Sequence, residues 1–270
     1  MGVVNVTPDS FSDGGRWLEP VDAIAHGRRL VAEGADLLDI GGESTRPGAE
    51  RPTEAEELRR VLPVIEALAA TGVPISIDTM RPAVAAAACA AGARMVNDVS
   101  GGMADPAMLS TVAELGVGYV LMHWRGHALD MQQRARYGDV AADVAGELAA
   151  QVERALAAGV AEDALVLDPG VGFAKTAAHN WELLTHLDPV AALGFPVLWG
   201  ISRKAFLGRL LAVDGELRPA VQRDDASVAL TTYLALNGVW GVRTHTVRPH
   251  RDAVETVRRL GRSPVVHPDQ

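Results

Sequence analysis

The sequence predicts a single-domain α/β fold, a (β/α)8 barrel, and three observations lead to this prediction. The chain has 270 residues, about the length that such a barrel needs. Short apolar runs alternate eight times with longer runs of helical periodicity. Polar residues end all eight predicted strands, whereas a doubly wound sheet would gather them at one switch point and place a Gly-x-Gly-x-x-Gly turn after the first strand. The doubly wound sheet is therefore the less favoured alternative.

The predicted strands are rich in β-branched residues and leucine, as strands covered on both faces are. The run Leu-Val-Leu-Asp is the clearest case, because Pro169 and Gly170 end the strand directly behind Asp168. The eight predicted strands are residues 2–6, 36–40, 73–79, 94–99, 118–124, 165–168, 196–201 and 240–245.

The predicted helices carry recognisable start and stop signals. Thr53 opens a Thr-Glu-Ala-Glu capping box, Pro82 stands in a first turn, and Gly159 stops the longest helix. Arg203 and Lys204 open a helix behind the seventh strand. The other predicted helices are residues 20–33, 53–70, 82–91, 105–115, 140–158, 177–192, 224–237 and 250–259, and residues 263–270 are predicted to be a flexible tail.

Composition narrows the class of protein. The net charge is −9 and no dense Lys/Arg run occurs, which argues against a nucleic-acid surface or a polybasic membrane patch. A single cysteine, Cys89, excludes an internal disulfide framework and indicates a reducing, cytoplasmic setting. No apolar run reaches the length of a membrane span, and the first residues lack the charged start of a signal peptide. Motifs of serine hydrolases, P-loop NTPases and zinc peptidases are missing from the sequence.

In a (β/α)8 barrel the carboxyl ends of the strands meet at one mouth, where sites are built. Any one polar residue there is explained about as well by helix capping or loop solvation, but the whole set is not. The predicted set is Asn5, Asp39, Asp78, Asn97, His123, Asp168, Ser202, Arg203, Lys204, Arg243 and His245.

Part of this set suits a flat heterocycle. Asp78, Asn97 and Asp168 offer acceptors and an amide for a ring edge that displays several N–H donors. The loop that follows Asp168 adds glycines for close backbone approach, the ring of Phe173 and the cation of Lys175.

Another part of the set suits an anion. Arg46, Lys204, Arg243 and His245 are cations or potential cations, and Lys204 also lies at a predicted helix start. Because the chain as a whole is acidic, an anionic substrate depends on these local groups. The acids at the mouth would also suit a metal ion.

Seven sequence blocks resemble the dihydropteroate synthase family of folate biosynthesis. The resemblance covers nearly the whole chain and keeps the order of the blocks. They are MGVVNVTPDSFSDGG, DIGGESTRPGA, SIDT-x-x-P followed by VNDVSGG, LMHWRG, LDPGVGFAKT-x-x-HN, GISRK-x-F-L-G and R-T-H.

The resemblance implies a (β/α)8 barrel that is usually a homodimer. It implies condensation of 6-hydroxymethyl-7,8-dihydropterin pyrophosphate with p-aminobenzoate to 7,8-dihydropteroate and pyrophosphate, through a cationic pterin intermediate. Mg²⁺ is the implied cofactor, and sulfonamides are the implied inhibitors. Nucleic acid and membrane are not expected partners.

The resemblance also assigns residues to three subsites and to catalysis. The implied pterin residues are Asp78, Asn97, Val99, Met122, Asp168, Phe173, Gly200, Lys204 and Arg243. The implied pyrophosphate residues are Asn5, which would also hold Mg²⁺, and Thr45, Arg46, Arg243 and His245. The implied aminobenzoate residues are Phe11, Thr45, Arg46, Pro47, Ser202, Lys204 and Ala205. Asp78, Asp13 and Lys204 are the implied catalytic residues.

Some positions depart from the family pattern. Thr246 stands where an acid often follows the histidine, which leaves the orientation of His245 open, and Ala205 stands where many members have serine. Two other classes remain as alternatives. A pterin-binding methyltransferase that serves a corrinoid protein would not need the Ser-Arg-Lys and Arg-x-His motifs, and a silent paralogue would not need intact charged groups.

Overall fold

The structure is a computed structural model that describes residues 1–7, 20–43, 51–126 and 134–261. It contains eight parallel strands, each covered by helical chain on its outer side. The strands are β1 Gly2–Asn5, β2 Leu38–Gly41, β3 Ile75–Asp78, β4 Met95–Asp98, β5 Gly118–Met122, β6 Leu165–Asp168, β7 Leu198–Trp199 and β8 Gly241–Val242.

The strands close into a ring. β1 to β6 form one sheet in chain order, and β7 pairs with β8. A parallel bridge between Leu167 and Val197 joins β6 to the β7 segment, and another between Gly2 and Thr244 joins the end of β8 to β1. The N–H group of Val3 donates to the carbonyl of Thr244 over 2.9 Å, which completes this last seam. The predicted (β/α)8 barrel is therefore confirmed, and the doubly wound sheet is excluded.

Ten α-helices lie in the described residues, and most begin and end within two residues of the prediction. They are α1 Pro20–Ala32, α2 Glu54–Ala69, α3 Pro82–Ala90, α4 Ala107–Leu115, α5 Val140–Ala157, α6 Ala177–Thr185, α7 Asp188–Ala191, α8 Ala205–Leu210, α9 Asp224–Leu236 and α10 Val247–Arg259. None of these helices combines the length and apolar character needed to cross a membrane, within the part of the chain that the structure describes.

Two helix predictions need correction. The single helix predicted over 177–192 is divided into α6 and α7, because Pro189 stands in the first turn of α7 and a proline is tolerated there but not inside a helix. Thr53 does cap α2 through its side chain, but the reciprocal half of the predicted capping box is missing. The carboxylate of Glu56 is bound instead by Arg59 and Arg60.

The core has two parts. The larger lies between the barrel and its helices, and α2 shows how it forms: Val61, Val64, Ile65 and Leu68 recur at helical spacing and are all buried. The smaller part lies inside the barrel, where Val120, Val166 and Leu198 pack together. Because apolar side chains fill the lower interior, the polar residues of the upper strand ends form the floor of the mouth.

Candidate active site

The predicted heterocycle residues lie at the carboxyl ends of neighbouring strands. Asp78 at the end of β3 pairs with Asn97 of β4. Met122 at the end of β5 pairs with Asp168 at the end of β6. Asn5 closes β1 in register with Asp78, since both residues pair with Gly41. The structure thus gathers these residues from five different strands.

Arg243 connects three of the polar groups. Its Nε donates to Oδ2 of Asp39 over 2.6 Å, and its other N–H donates to Oδ2 of Asp78 over 2.8 Å. Asn97 also donates to Oδ2 of Asp39, over 3.0 Å. A carboxylate only accepts, so the amide group of Asn97 must turn its NH2 toward Asp39, which leaves its oxygen to accept from a ligand.

The charge of Arg243 is therefore shared with two acids before any anion arrives. Burial raises the pKa of Asp78, and the neighbouring carboxylate of Asp39 adds to the rise, while Arg243 opposes it. Oδ1 of Asp39 is buried and has no hydrogen-bond partner among the described residues. The sequence predicted Asp39 at the mouth without assigning it a function. In the structure Asp39 is the acceptor that orients Asn97 and Arg243.

Asp168 presents one oxygen to the chain and the other to the mouth. Oδ1 accepts from the N–H group of Gly170 over 2.7 Å. A Cβ added at Gly200 would stand 3.5 Å from Oδ2, and Oδ2 accepts no hydrogen bond from the described residues. Burial raises the pKa of Asp168, and the Gly170 hydrogen bond and Lys204 hold the rise in check. Gly200 thus leaves free space beside an acceptor atom.

Lys204 lies over the ring of Phe173, with Nζ 4.1 Å from the ring centroid. Gly172 permits this approach, because its φ is +84° and a Cβ there would stand 2.9 Å from Cδ of Lys204. Burial lowers the pKa of Lys204 to about 8, with Asp168 opposing. Lysine and ring together form one wall beside Asp168.

Ser202 orients the side chain of His245, which the sequence had left open. Oγ of Ser202 lies 3.0 Å from Nδ1 of His245 and also accepts the N–H group of His245 over 3.3 Å. Burial lowers the pKa of His245 to about 3, and Arg243, Arg203 and Lys204 add to the fall. His245 is therefore neutral near pH 7, and it would offer an anion an N–H donor without a positive charge.

The remaining predicted residues divide into described and undescribed ones. Val99 follows β4, Met122 is buried at the end of β5, and Ala205 is the exposed first residue of α8. Five predicted residues lie outside the described part of the chain: Phe11, Asp13, Thr45, Arg46 and Pro47.

The sequence predicted His123 at the mouth and Lys175 as a cation for a ligand, but both side chains are bound to other groups of the protein. His123 is fully buried against Glu147, and Lys175 is turned toward His123 and two backbone carbonyls. The expectation that Lys175 supplies a cation to a ligand is therefore wrong. Nothing in the spacing of α5 singled out Glu147, because a lone acid in an amphipathic helix is ordinarily solvated.

Known proteins resemble this chain over nearly its whole length. The family described as "Pterin binding enzyme" matches residues 1–245. A dihydropteroate synthase of Mycobacterium leprae (strain TN) is 55% identical over 259 residues, which cover 95% of this chain and 91% of that protein.

Two solved structures extend the comparison. Xanthomonas albilineans dihydropteroate synthase with 4-aminobenzoic acid has a TM-score of 0.89 and 46% identity, covering 97% of this chain and 93% of the other. Yersinia pestis dihydropteroate synthase in a sulfonamide drug complex has a TM-score of 0.90 and 41% identity, covering 97% and 94%.

The chain forms a closed (β/α)8 barrel with acceptors and one lysine at its mouth. Since the family model matches residues 1–245, the protein belongs to the class of pterin-binding enzymes. The chain belongs to this family, and within it to the dihydropteroate synthases, which are transferases. The predicted resemblance is thereby confirmed.

Proposed function

We propose that this mouth condenses 6-hydroxymethyl-7,8-dihydropterin pyrophosphate with p-aminobenzoate. The observation that carries the proposal is the placement of acceptors from separate strands around one space. Oδ2 of Asp168 and the amide oxygen of Asn97 are both left for a ligand, and the aminopyrimidine edge of a pterin displays N–H donors to match. Phe173 and Lys204 supply the flat wall that a fused ring needs.

The proposed pyrophosphate subsite lies beside this pocket. His245 would donate one N–H group to the pyrophosphate, and Lys204 would supply a positive charge. Arg243 would contribute less than a full positive charge, because Asp39 and Asp78 already neutralise part of it. Thr45 and Arg46 remain predicted partners from outside the described residues.

Mg²⁺ fits this subsite as an ion shared with the substrate. Asn5 ends β1 at the mouth and offers a neutral amide oxygen, a hard ligand of the kind that Mg²⁺ takes together with phosphate oxygens and waters. Among the described residues no group of three His, Cys, Asp or Glu side chains forms a cage of its own. When bound, the ion would draw charge from the pyrophosphate and so ease its departure.

The chemical step needs no protein nucleophile. The bond between the pterin methylene and the pyrophosphate oxygen breaks, and pyrophosphate leaves with the electron pair. The aniline nitrogen of p-aminobenzoate then attacks the cationic methylene and loses a proton. Asp78, and Asp13 from the undescribed part, would stabilise the cation electrostatically, while Asp168 and Asn97 hold the ring in position.

The aminobenzoate would lie on the side of Ser202, Lys204 and Ala205. Phe11, Thr45, Arg46 and Pro47, which are not described, are the proposed opposite wall. Sulfonamides, as mimics of the aniline and its anion, would compete for the same space.

We further propose a homodimer and a cytoplasmic location. Several large apolar side chains are exposed on the stretch of chain from α8 to β8: Leu210 at 60%, Val213 at 63%, Val221 at 66% and Trp240 at 51%. The one cysteine, Cys89, is free and buried, which suits a reducing compartment.

A coupled assay of pyrophosphate release tests the function. Release that requires both the pterin substrate and p-aminobenzoate is expected. A corrinoid-dependent methyltransferase would release none, and a silent paralogue would bind pterin without turnover. Analytical ultracentrifugation of the wild type beside Val221→Asp tests the dimer, which is expected only in the wild type.

A further inference from the structure

Lys175 occupies a cage of three acceptors behind the pterin pocket. Its Nζ lies 3.1 Å from Nδ1 of His123, 3.1 Å from the carbonyl oxygen of Gly170 and 3.3 Å from that of Phe173. The residue is only 3% exposed. Burial lowers the pKa of Lys175 to about 7, and Asp168 opposes the fall. In its charged form the amine has three N–H donors, and each one has a partner in the cage.

His123 connects this cage to a counter-charge. Its Nε2 lies 2.9 Å from Oε2 of Glu147, which Arg125 also binds. Burial lowers the pKa of His123 to about 4, so its ring is neutral near pH 7. Since a carboxylate only accepts, Nε2 carries the hydrogen of the neutral ring, and Nδ1 is left to accept from Lys175.

The carbonyls that Lys175 holds belong to a strained loop. Gly170, Gly172 and Ala174 alternate at φ values of +68°, +84° and +47°. Alanine is disfavoured in the left-handed region, and the hydroxyl of Tyr137 supports the turn by donating to the carbonyl of Ala174 over 3.0 Å. A conformation of this kind persists only where its surroundings determine it.

This loop carries two parts of the pterin pocket. The N–H group of Gly170 fixes Oδ1 of Asp168 at 2.7 Å, and the ring of Phe173 contacts Nζ of Lys204. The two residues whose carbonyls Lys175 binds are therefore the two that hold Asp168 and Lys204 in place.

We propose that Lys175 is a positioning residue for pterin recognition. Held by His123, which Glu147 binds in turn, it fixes the loop between β6 and α6 and thereby the directions of the Asp168 carboxylate and the Phe173 ring. The inference rests on the proposed function and deepens it. The chain has only two lysines, Lys175 and Lys204, and both serve this pocket. A compact ammonium fits a cage of three acceptors, whereas the planar fork of an arginine does not.

Lys175→Met tests the proposal, because methionine keeps the apolar stem and removes all three donors. The dissociation constant of 6-hydroxymethylpterin, measured by calorimetry, is expected to rise at least tenfold, together with KM for the pterin substrate. KM for p-aminobenzoate is expected to change less than threefold. Tyr119→Phe is the matched control, since it removes a buried hydrogen bond to Asp98 outside the pocket and should lower Tm without changing pterin affinity.

A pair of variants at His123 gives an independent measurement if Lys175→Met does not fold. Glutamine offers one acceptor and one donor, so His123→Gln should keep pterin affinity within threefold. His123→Leu removes both and should lose at least tenfold. Unchanged pterin affinity in Lys175→Met, or in His123→Leu, would overturn the inference while leaving the proposed function intact. A wild-type protein that binds no pterin would overturn both.

Discussion

The guanidinium of Arg243 donates from Nε to Oδ2 of Asp39 over 2.6 Å, joining two residues that lie 204 positions apart in the chain. The Asp39 side chain is fully buried and that of Arg243 is 22% exposed. Each charge is therefore removed from water and depends on the other. This pair ties the end of β8 to β2 and holds Arg243 in reach of Asp78.

Arg243→Ala is expected to destabilise the protein strongly. It would leave the carboxylates of Asp39 and Asp78 without their shared cation, and breaking a buried pair from one side costs about 3–5 kcal/mol of unfolding free energy. Urea unfolding measures the loss. Arg251→Ala is the control, because its partners Asp36 and Glu255 are 81% and 44% exposed and water replaces both contacts. Similar losses of unfolding free energy in both variants would show that the buried ion pair stabilises the protein no more than an exposed one.

Asp168→Asn is expected to weaken pterin binding at least tenfold. The amide has one acceptor oxygen for both the N–H group of Gly170 and the pterin edge, so one of these donors would stay unpaired at a cost of about 1–3 kcal/mol. Calorimetry with 6-hydroxymethylpterin measures this directly. Asp105→Asn makes the same chemical change before α4 and should leave the affinity unchanged. A folded Asp168→Asn protein with wild-type affinity would refute the pocket assignment.

His245 is expected to contribute a hydrogen bond to pyrophosphate and no charge. Its pKa is lowered to about 3, so it does not gain a proton between pH 8 and pH 5.5. His245→Gln should therefore raise the dissociation constant for pyrophosphate by the same factor at every pH in this range. Pyrophosphate also gains protons as the pH falls, but this affects both proteins equally and cancels in the ratio of the two dissociation constants. A ratio that grows as the pH falls through 6.5 would reveal a histidine cation.

The lowered pKa of His245 also makes the free energy of unfolding depend on pH. The unfolded chain binds a proton at His245 near pH 6.5, whereas the folded chain binds it only near pH 3. The unfolded state therefore holds more protons between these values. The stability that the neutral histidine contributes is complete above pH 6.5 and is lost as the pH falls toward 3. His245→Gln should flatten this part of the curve of Tm against pH.

Sulfonamides are expected to bind only after pyrophosphate and Mg²⁺. The predicted aminobenzoate residues Thr45 and Arg46 are also predicted to hold pyrophosphate, so the anion would organise the second pocket. Reciprocity requires the sulfonamide to tighten pyrophosphate by the same factor. Titrating a sulfonamide with and without pyrophosphate and Mg²⁺ measures the coupling. Equal affinity in both titrations would show that the aminobenzoate pocket is preformed.

The sequence predicted strand number well and side-chain partners poorly. Alternating apolar and helical runs reflect local periodicity, so the eight strands and their polar ends could be read directly. The division of α6 from α7 was missed because a proline in a first turn and a proline that breaks a helix look alike without the backbone. His250 is buried against Thr231, a contact that the order of residues does not reveal.

The closed barrel, the family and several strand-end residues at the mouth could be predicted from the sequence alone. Asp78, Asn97, Asp168 and Lys204 could be named because strand ends converge in any such barrel. The tertiary structure decided what state these groups are in. Burial and neighbours from distant strands make His245 neutral and divide the charge of Arg243 between two acids, and they turn Lys175 inward. Charge and direction depend on contacts across the barrel, and those contacts exist only once the ring of strands has closed.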